Sequence, residues 1–243
     1  VKALFRTPGE VKHLANFMIS IGGDGTFLES VSLIEESYIP VIGINFGRLG
    51  FLAQISSEEI PQAIDQIFKG DFTVDQRTVL QIDTDHNPFG KFPFALNDMT
   101  IQKKGTTMIT INAYIDGEFL CTYWADGLII STPTGSTAYS LSVGGPIVSP
   151  NSRNFVISAI APHHLTVRPL VIPDDSELLL EVTSREEEIL ISVDSRSLPI
   201  KSNISLKVTK APFNIGVVRL KNTSFYKTLR NKFMWGIDNR NNT

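Results

Sequence analysis

A carboxylate set among glycines just past an apolar strand is the first place where this chain could do chemistry. Asn16-Phe17-Met18-Ile19-Ser20-Ile21 reads as a short buried strand, and Gly22-Gly23-Asp24-Gly25-Thr26 follows it directly. Glycines at a strand-to-helix turn let the chain bend tightly and let a ligand come close to the backbone. The N–H groups at the helix start then form a seat for phosphate. Gly22, Gly23, Gly25 and Thr26 are therefore candidate phosphate contacts. Thr26 is also placed to cap a helix beginning at Phe27. Asp24 does not fit such a seat on charge grounds, because a carboxylate repels a phosphate unless it holds a metal or accepts a proton. Asp24 is thus either chemistry or an ordinary turn aspartate, a common use of the residue.

A second reactive-looking stretch runs from Ala125-Asp126-Gly127 through Thr132-Pro133-Thr134-Gly135-Ser136-Thr137-Ala138-Tyr139-Ser140-Leu141-Ser142 to Gly144-Gly145-Pro146. A strand enters a loop dense in hydroxyls and glycine, and a helix of one or two turns follows, over about Thr137 to Val143. Hydroxyls and free N–H groups at a helix start suit a phosphate or a ribose. An ordinary Ser/Thr loop is the alternative. Asn97-Asp98, just past a strand, is a third candidate, in which an amide and a carboxylate could bracket a sugar diol.

The elements that must position these residues fall into two textures. Ile39 to Phe46 is a second β-branched apolar run, ending in Gly47-Arg48-Leu49-Gly50-Phe51. Glu58 to Phe68 carries an amphipathic helical stripe closed by Gly70. Strand–helix–strand–helix implies a small Rossmann-like parallel sheet, with ligands at the C-terminal strand ends. Arg48 there could meet a phosphate or be a structural surface arginine. Phe51 could stack on a base or belong to the core. Val1 to Phe5 also reads as a strand, but barely one helical turn separates it from Asn16. An abbreviated sheet edge and the absence of earlier residues from this sequence both fit.

From Phe72 on, many short strands with turns between them indicate an antiparallel β-sandwich. They include Met108 to Ile115, with a hairpin turn at Asp116-Gly117, and Gly216-Val217-Val218. The fold class is therefore an α/β domain over residues 1–72 followed by an all-β sandwich over 73–221. The tail, 222–243, mixes aromatic and basic residues. It is expected to pack back on the first domain or on a partner subunit.

Composition narrows the class. The 243 residues are 42% hydrophobic and 19% charged, enough apolar content for a sizeable core, and the formal charge is −3. That balance, with no Lys/Arg run, argues against nucleic acid as the partner. Cys121 is the single cysteine, which fits a reducing compartment. No apolar run reaches the roughly 18 residues of a membrane span, and no signal-peptide pattern opens the chain. The expectation is a cytoplasmic protein that binds neither membrane nor nucleic acid.

Taken together, Gly22-Gly23-Asp24-Gly25-Thr26, Asn45 to Leu52, Asn97-Asp98, Asp126 to Pro146 and the tail Thr228 to Gly236 resemble the NAD kinase family. The glycine–aspartate motif alone is shared with lipid and sphingoid-base kinases; the Thr-Pro-Thr-Gly-Ser-Thr-Ala-Tyr-Ser loop is far more specific. The resemblance implies transfer of the ATP γ-phosphoryl to the adenosine-ribose 2′-hydroxyl of NAD, with Mg²⁺ neutralising the triphosphate and Asp24 as general base. It implies an active site in the crevice between the two domains and an even-numbered homo-oligomer, a homodimer or homotetramer. The positions matching the family's dinucleotide contacts are Asp24, Gly25, Phe51, Asn97, Asp98, Asp126, Thr137, Ala138, Tyr139, Ser140, Leu141, Ser142, Ala161 and Arg196. Asn97, Asp98 and Tyr139 are expected at the adenosine, and Asp126 and Ala161 at the nicotinamide end. Arg196 stands in Asp194-Ser195-Arg196, which otherwise reads as a hairpin turn. Where this chain has Asp98 the family often has Glu, one methylene longer. A lipid or sphingoid-base kinase and a non-catalytic dinucleotide sensor are the alternatives.

Overall fold

The structure, a computed structural model, describes residues 10–11, 14–47, 50–85, 87–221 and 223–236. The expected strand at Val1 to Phe5 and the phosphate candidate Arg48 lie outside these residues. Two compact units make up the chain. One contains the described residues up to Gln76 together with those from Ile215 onward; the other runs from Arg77 to Asn214.

The first unit is built on one sheet with strand order Met18–Gly22, Val41–Asn45, Ile215–Leu220, Phe72–Arg77. The first two strands are parallel, with Met18 opposite Val41 and Gly22 opposite Asn45. Short Ile55–Ser56 also runs parallel to the end of Val41–Asn45. Every residue of Val41–Asn45 is buried, as a strand covered on both faces requires. Alternation along it sends its neighbours to different helices. Ile42 and Ile44 pack with Ala63, Ile60 and Ile67 of the helix Ile60–Lys69. A Cβ on Gly43 would instead sit 3.0 Å from Phe27 of the helix Asp24–Ile34. Ser56 and Glu59 form a capping box ahead of Ile60–Lys69, and left-handed Gly70 closes it, as the sequence suggests.

Two placements differ from the sequence reading. The helix after the glycine turn starts at Asp24, with Gly23 as its N-cap, so Thr26 is inside the first turn and does not cap it. Glycine at the cap lets the turn continue straight into helical dihedrals without a side-chain acceptor. The run containing Gly216-Val217-Val218 belongs to the first sheet, between the strands Val41–Asn45 and Phe72–Arg77. An apolar run does not encode which sheet it will join. Here the close fit is local: a Cβ on Gly216 would lie 2.8 Å from Val74.

The second unit is a sandwich of two six-stranded antiparallel sheets. One has the order Leu170–Pro173, Asn154–Ile160, Gly127–Ser131, Asp98–Lys103, Glu188–Val193, Arg196–Lys201. The other runs Phe94–Ala95, Leu80–Thr84, Ile204–Lys210, Leu178–Thr183, Ile109–Ile115, Glu118–Ala125. Inward residues of both, among them Ile101, Leu128, Phe155, Ile111, Leu180 and Leu206, form one core. The Asp116-Gly117 hairpin is present, both residues at positive φ as its turn type demands. No helix among the described residues is long and apolar enough to cross a membrane.

Candidate active site

In the first unit the geometry centres on Asp24, at the first position of its helix. Its carboxylate accepts three consecutive backbone N–H groups: Oδ2 from Phe51 (2.9 Å), and Oδ1 from Leu52 and Ala53 (3.0 Å each). An ionised carboxylate offers about four acceptor directions. Three are taken, two of them on Oδ1, which leaves the remaining one on Oδ2. The loop can approach this closely only because residue 50 is glycine: a Cβ there would lie 2.0 Å from Asp24 Oδ1. Asn45 secures the same loop from below, donating to Ala53 O (3.4 Å) and accepting from Gly47 N–H (2.6 Å).

The motif glycines divide by cause. Gly22, at φ 155°, packs against Thr26, so a fold-level reason exists for it. At Gly23 and Gly25 an added Cβ would meet nothing within 4 Å, and neither has positive φ. Glycine in the first helical turn costs up to about 1 kcal/mol relative to alanine. Nothing in this unit requires it at residue 25, so a group approaching from outside is the remaining reason. The first N–H groups of the helix have no partner within it, as at any helix N-terminus.

Phe51 contributes its N–H to Asp24 and its ring to the tail. Phe225 and Phe233 of the helix Phe225–Phe233 lie 5.9 and 5.5 Å from it, and Lys232 Nζ is 4.7 Å from its centroid. The tail helix thus packs on the loop that holds the aspartate.

In the second unit, three adjacent strands carry most of the remaining candidates. Asp98 opens the strand Asp98–Lys103 opposite Ser131, while Gln102 lies opposite Gly127 and Gly127 opposite Ile160. At about 3.4 Å per residue, the Asp98 end and the Gln102 end are ~13 Å apart. The hydroxyl-rich loop spans that distance. At one end Thr132 Oγ1 donates to Leu96 O (2.6 Å), and a Cβ on Gly135 would lie 2.0 Å from Asn97 O. At the other end Tyr139 Oη accepts from Gln102 Nε2 (2.8 Å). Asp126 sits beside that end. Its carboxylate pairs with Lys103 Nζ at 2.7 Å, and its N–H donates to Ile160 O (2.9 Å), next to Ala161. Ala161 holds a left-handed φ of 44°. Asn97, Asp98, Asp126, Tyr139 and Ala161 are therefore carried by three neighbouring strands and the loop that joins two of them; Gln102, which meets Tyr139, and Lys103, which meets Asp126, alternate along their strand.

The loop's hydroxyls are not equivalent. Thr132, Ser136 and Ser140 are fully buried and structural. Ser136 Oγ donates to Pro133 O (2.7 Å) and accepts from Val148 N–H (3.0 Å), and Ser140 pairs with Ser158 (3.2 Å). Thr137, Ala138, Tyr139, Leu141 and Ser142 keep accessible surface, over a 3₁₀ turn at Gly135–Thr137 and a single α-turn at Tyr139–Ser142. Ser140 is thus a brace from the side, not an exposed contact.

Arg196 is engaged within its own unit. Its guanidinium donates to Phe92 O (2.7 Å) and Phe94 O (2.8 Å) and stacks 5.1 Å from the Phe92 ring. Asp194, two residues before it, accepts N–H bonds from Leu96, Asn97 and Asp98. Burial, then the Asp194 charge, pushes the Asp98 carboxyl up to about 7. Sequence reasoning missed Asp194, Gln102, Lys103 and Gly50. Gly50 carried a signal as part of the second glycine turn, without its contact to Asp24, and the Asp of the Asp-Ser-Arg turn read as turn chemistry.

Comparison with known proteins supplies the rest. The ATP-NAD kinase N-terminal domain family matches residues 5–72, and the ATP-NAD kinase C-terminal domain family matches residues 96–220. An NAD kinase of Cytophaga hutchinsonii is 49% identical over 227 residues, 93% of this chain and 78% of that one. An NAD kinase of Bacteroides fragilis is 48% identical, with the same shares covered. Among solved structures, a yeast NADH kinase complexed with NADH superposes with a TM-score of 0.84 at 26% identity, covering 98% of this chain and 76% of that one. An NAD kinase from Archaeoglobus fulgidus in complex with ATP gives 0.76 at 26% identity, covering 96% and 87%.

Proposed function

The chain belongs to the NAD kinase family and is an ATP-dependent NAD kinase, and from that premise we propose that Asp24 is the general base for the adenosine-ribose 2′-hydroxyl of NAD. One observation carries the assignment. Three amides fix the Asp24 carboxylate and leave an acceptor direction on Oδ2, between Gly23, which caps the helix, and Gly25, where the packing of this unit asks for no glycine.

The 2′-hydroxyl donates to Oδ2, which orients the oxygen toward the γ-phosphorus. As the new O–P bond forms, the bond from the γ-phosphorus to the β,γ-bridging oxygen breaks and ADP leaves. The hydroxyl proton passes to Asp24 late, since phosphoryl transfer relies more on positioning and charge stabilisation than on a strong base. The first-turn N–H groups beside Gly23 and Gly25, together with Thr26, face the phosphates. Asn97, Asp98 and Tyr139 address the adenosine, with Asp126 and Ala161 at the nicotinamide end.

Among the described residues, no group of three or more His, Cys, Asp or Glu side chains could cage a metal. We assign the divalent ion, Mg²⁺, to the nucleotide, whose phosphates can bind it. The protein is also proposed to act in the cytoplasm as an even-numbered homo-oligomer. The exposed apolar side chains Phe119, Leu120 and Trp124 along one strand support association, which sedimentation would test.

The decisive variant is Asp24→Asn. It keeps the side-chain size and removes the proton acceptor, while its NH2 group faces the Phe51 N–H where an oxygen accepted it. The expected outcome is a fall in kcat of about 10²-fold or more with NAD affinity within a few-fold, read by NADP formation and by calorimetric titration. Near-normal turnover would refute the base assignment. Loss of NAD binding alone would make Asp24 a binding residue.

A further inference from the structure

We propose that Asp194 is a positioning residue for the dinucleotide site: from a hairpin turn it sets the conformation of the Asn97–Asp98 corner. The proposal rests on the reading that this corner contacts the NAD ribose.

Topology creates the need. Phe94–Ala95 pairs in one sheet of the sandwich, and Asp98–Lys103 pairs in the other. The chain therefore changes sheets at Leu96 and Asn97, where neither ladder can satisfy its N–H groups. Unpaired buried amides are costly, and a corner without fixed bonds would not hold one shape.

Asp194 meets this need from the turn between Glu188–Val193 and Arg196–Lys201. It holds a left-handed φ of 52°, which an aspartate tolerates better than most residues. Its Oδ2 accepts from Leu96 N–H (2.8 Å), and its Oδ1 accepts from Asn97 N–H (2.8 Å) and Asp98 N–H (3.2 Å). Its own N–H donates to Asp98 O (2.9 Å). Two residues on, Arg196 takes the carbonyls of Phe92 and Phe94. On the other side Thr132 N–H donates to Asn97 O (2.9 Å), and its hydroxyl donates to Leu96 O. With the backbone of Leu96, Asn97 and Asp98 tied in this way, the Asn97 side chain and the largely buried Asp98 carboxyl beside it are the parts of the corner left for a ligand.

Steady-state kinetics of Asp194→Asn and Asp194→Gly test the idea. Glycine keeps the left-handed turn while deleting the carboxylate. Both variants are expected to raise KM for NAD about tenfold or more, to leave KM for ATP within about twofold, and to lower kcat less than they raise that KM. Asn97→Ala should raise the same KM, and the double variant Asp194→Asn/Asn97→Ala should be no worse than its worse parent. Equal losses toward both substrates, tracking a lower melting temperature, would reduce Asp194 to a scaffold residue and overturn the proposal. So would an unchanged KM for NAD in the Asp194 variants while Asn97→Ala raises it. An unchanged KM for NAD in both Asn97→Ala and Asp98→Ala would instead remove the underlying site reading. Hydrogen exchange on the unmodified enzyme needs no variant. The amides of Leu96, Asn97 and Asp98 should exchange slowly without NAD, and rates typical of an open turn would overturn the proposal even if neither Asp194 variant folds.

Discussion

Asp24 and Asp194 show the same pattern, three successive backbone N–H groups divided two and one between the carboxylate oxygens. The pattern does not make a base; the surroundings do. Asp24 stands between two glycines whose missing side chains would face open space. Asp194 lies beneath a chain crossing, and burial raises its pKa against the pull of the three amides and Arg196. Asp98 gives the residue scale its pH prediction. Its folded pKa of about 7 lies above the 3.8 of a free aspartate, so the folded protein holds that proton more tightly than the unfolded chain. The group therefore costs nothing below about pH 4, opposes folding increasingly as pH rises to about 7, and adds a constant penalty above that. Asp98→Asn should gain stability relative to the unmodified protein between pH 4 and pH 8, by on the order of 3 kcal/mol in denaturant unfolding. A pH-independent difference would contradict the burial of this carboxyl. Asp24, Asn97, Asp98 and Tyr139 were legible in the sequence because each lies in a run of unusual residue types. Asp194 and Gln102 were not, because their importance comes from partners nearly 100 and nearly 40 residues away.

At the scale of elements, the segment 50–53 ties the first unit together at two points. It is clamped to the helix start through Asp24 and to the tail helix through Phe51. Gly50 makes the first clamp possible. Gly50→Ala would press a Cβ onto the Asp24 carboxylate, so kcat should fall about 10²-fold although no proposed substrate contact is changed. Wild-type turnover in that variant would show that the loop can shift freely. Periodicity announced the helix Ile60–Lys69 and most sandwich strands, since each carries its pattern within itself. It did not announce Asp98–Lys103 or Arg196–Lys201. The first mixes buried polar residues into its run, and the second carries Pro199 and alternates poorly.

At the scale of the whole chain, the sequence suggested two successive domains with a tail from residue 222 packing back on the first or on a partner subunit, but the polypeptide leaves the first unit after Gln76 and already returns to it at Ile215. A chain ended at Asn214 would lose both the strand between Val41–Asn45 and Phe72–Arg77 and the helix against Phe51. Its sandwich amides should stay protected from hydrogen exchange while those of the first sheet exchange freely, and NADP formation should cease. Protection persisting in the first sheet would show that the returning strand is dispensable. That return also sets an order of assembly during synthesis. The ribosome delivers the glycine–aspartate turn before the whole sandwich, and the strand Ile215–Leu220 that joins its sheet only after it. The nascent amino-terminal part must wait, incomplete, while the sandwich is translated, and in that interval its unpaired strand edges are what a holding chaperone would cover.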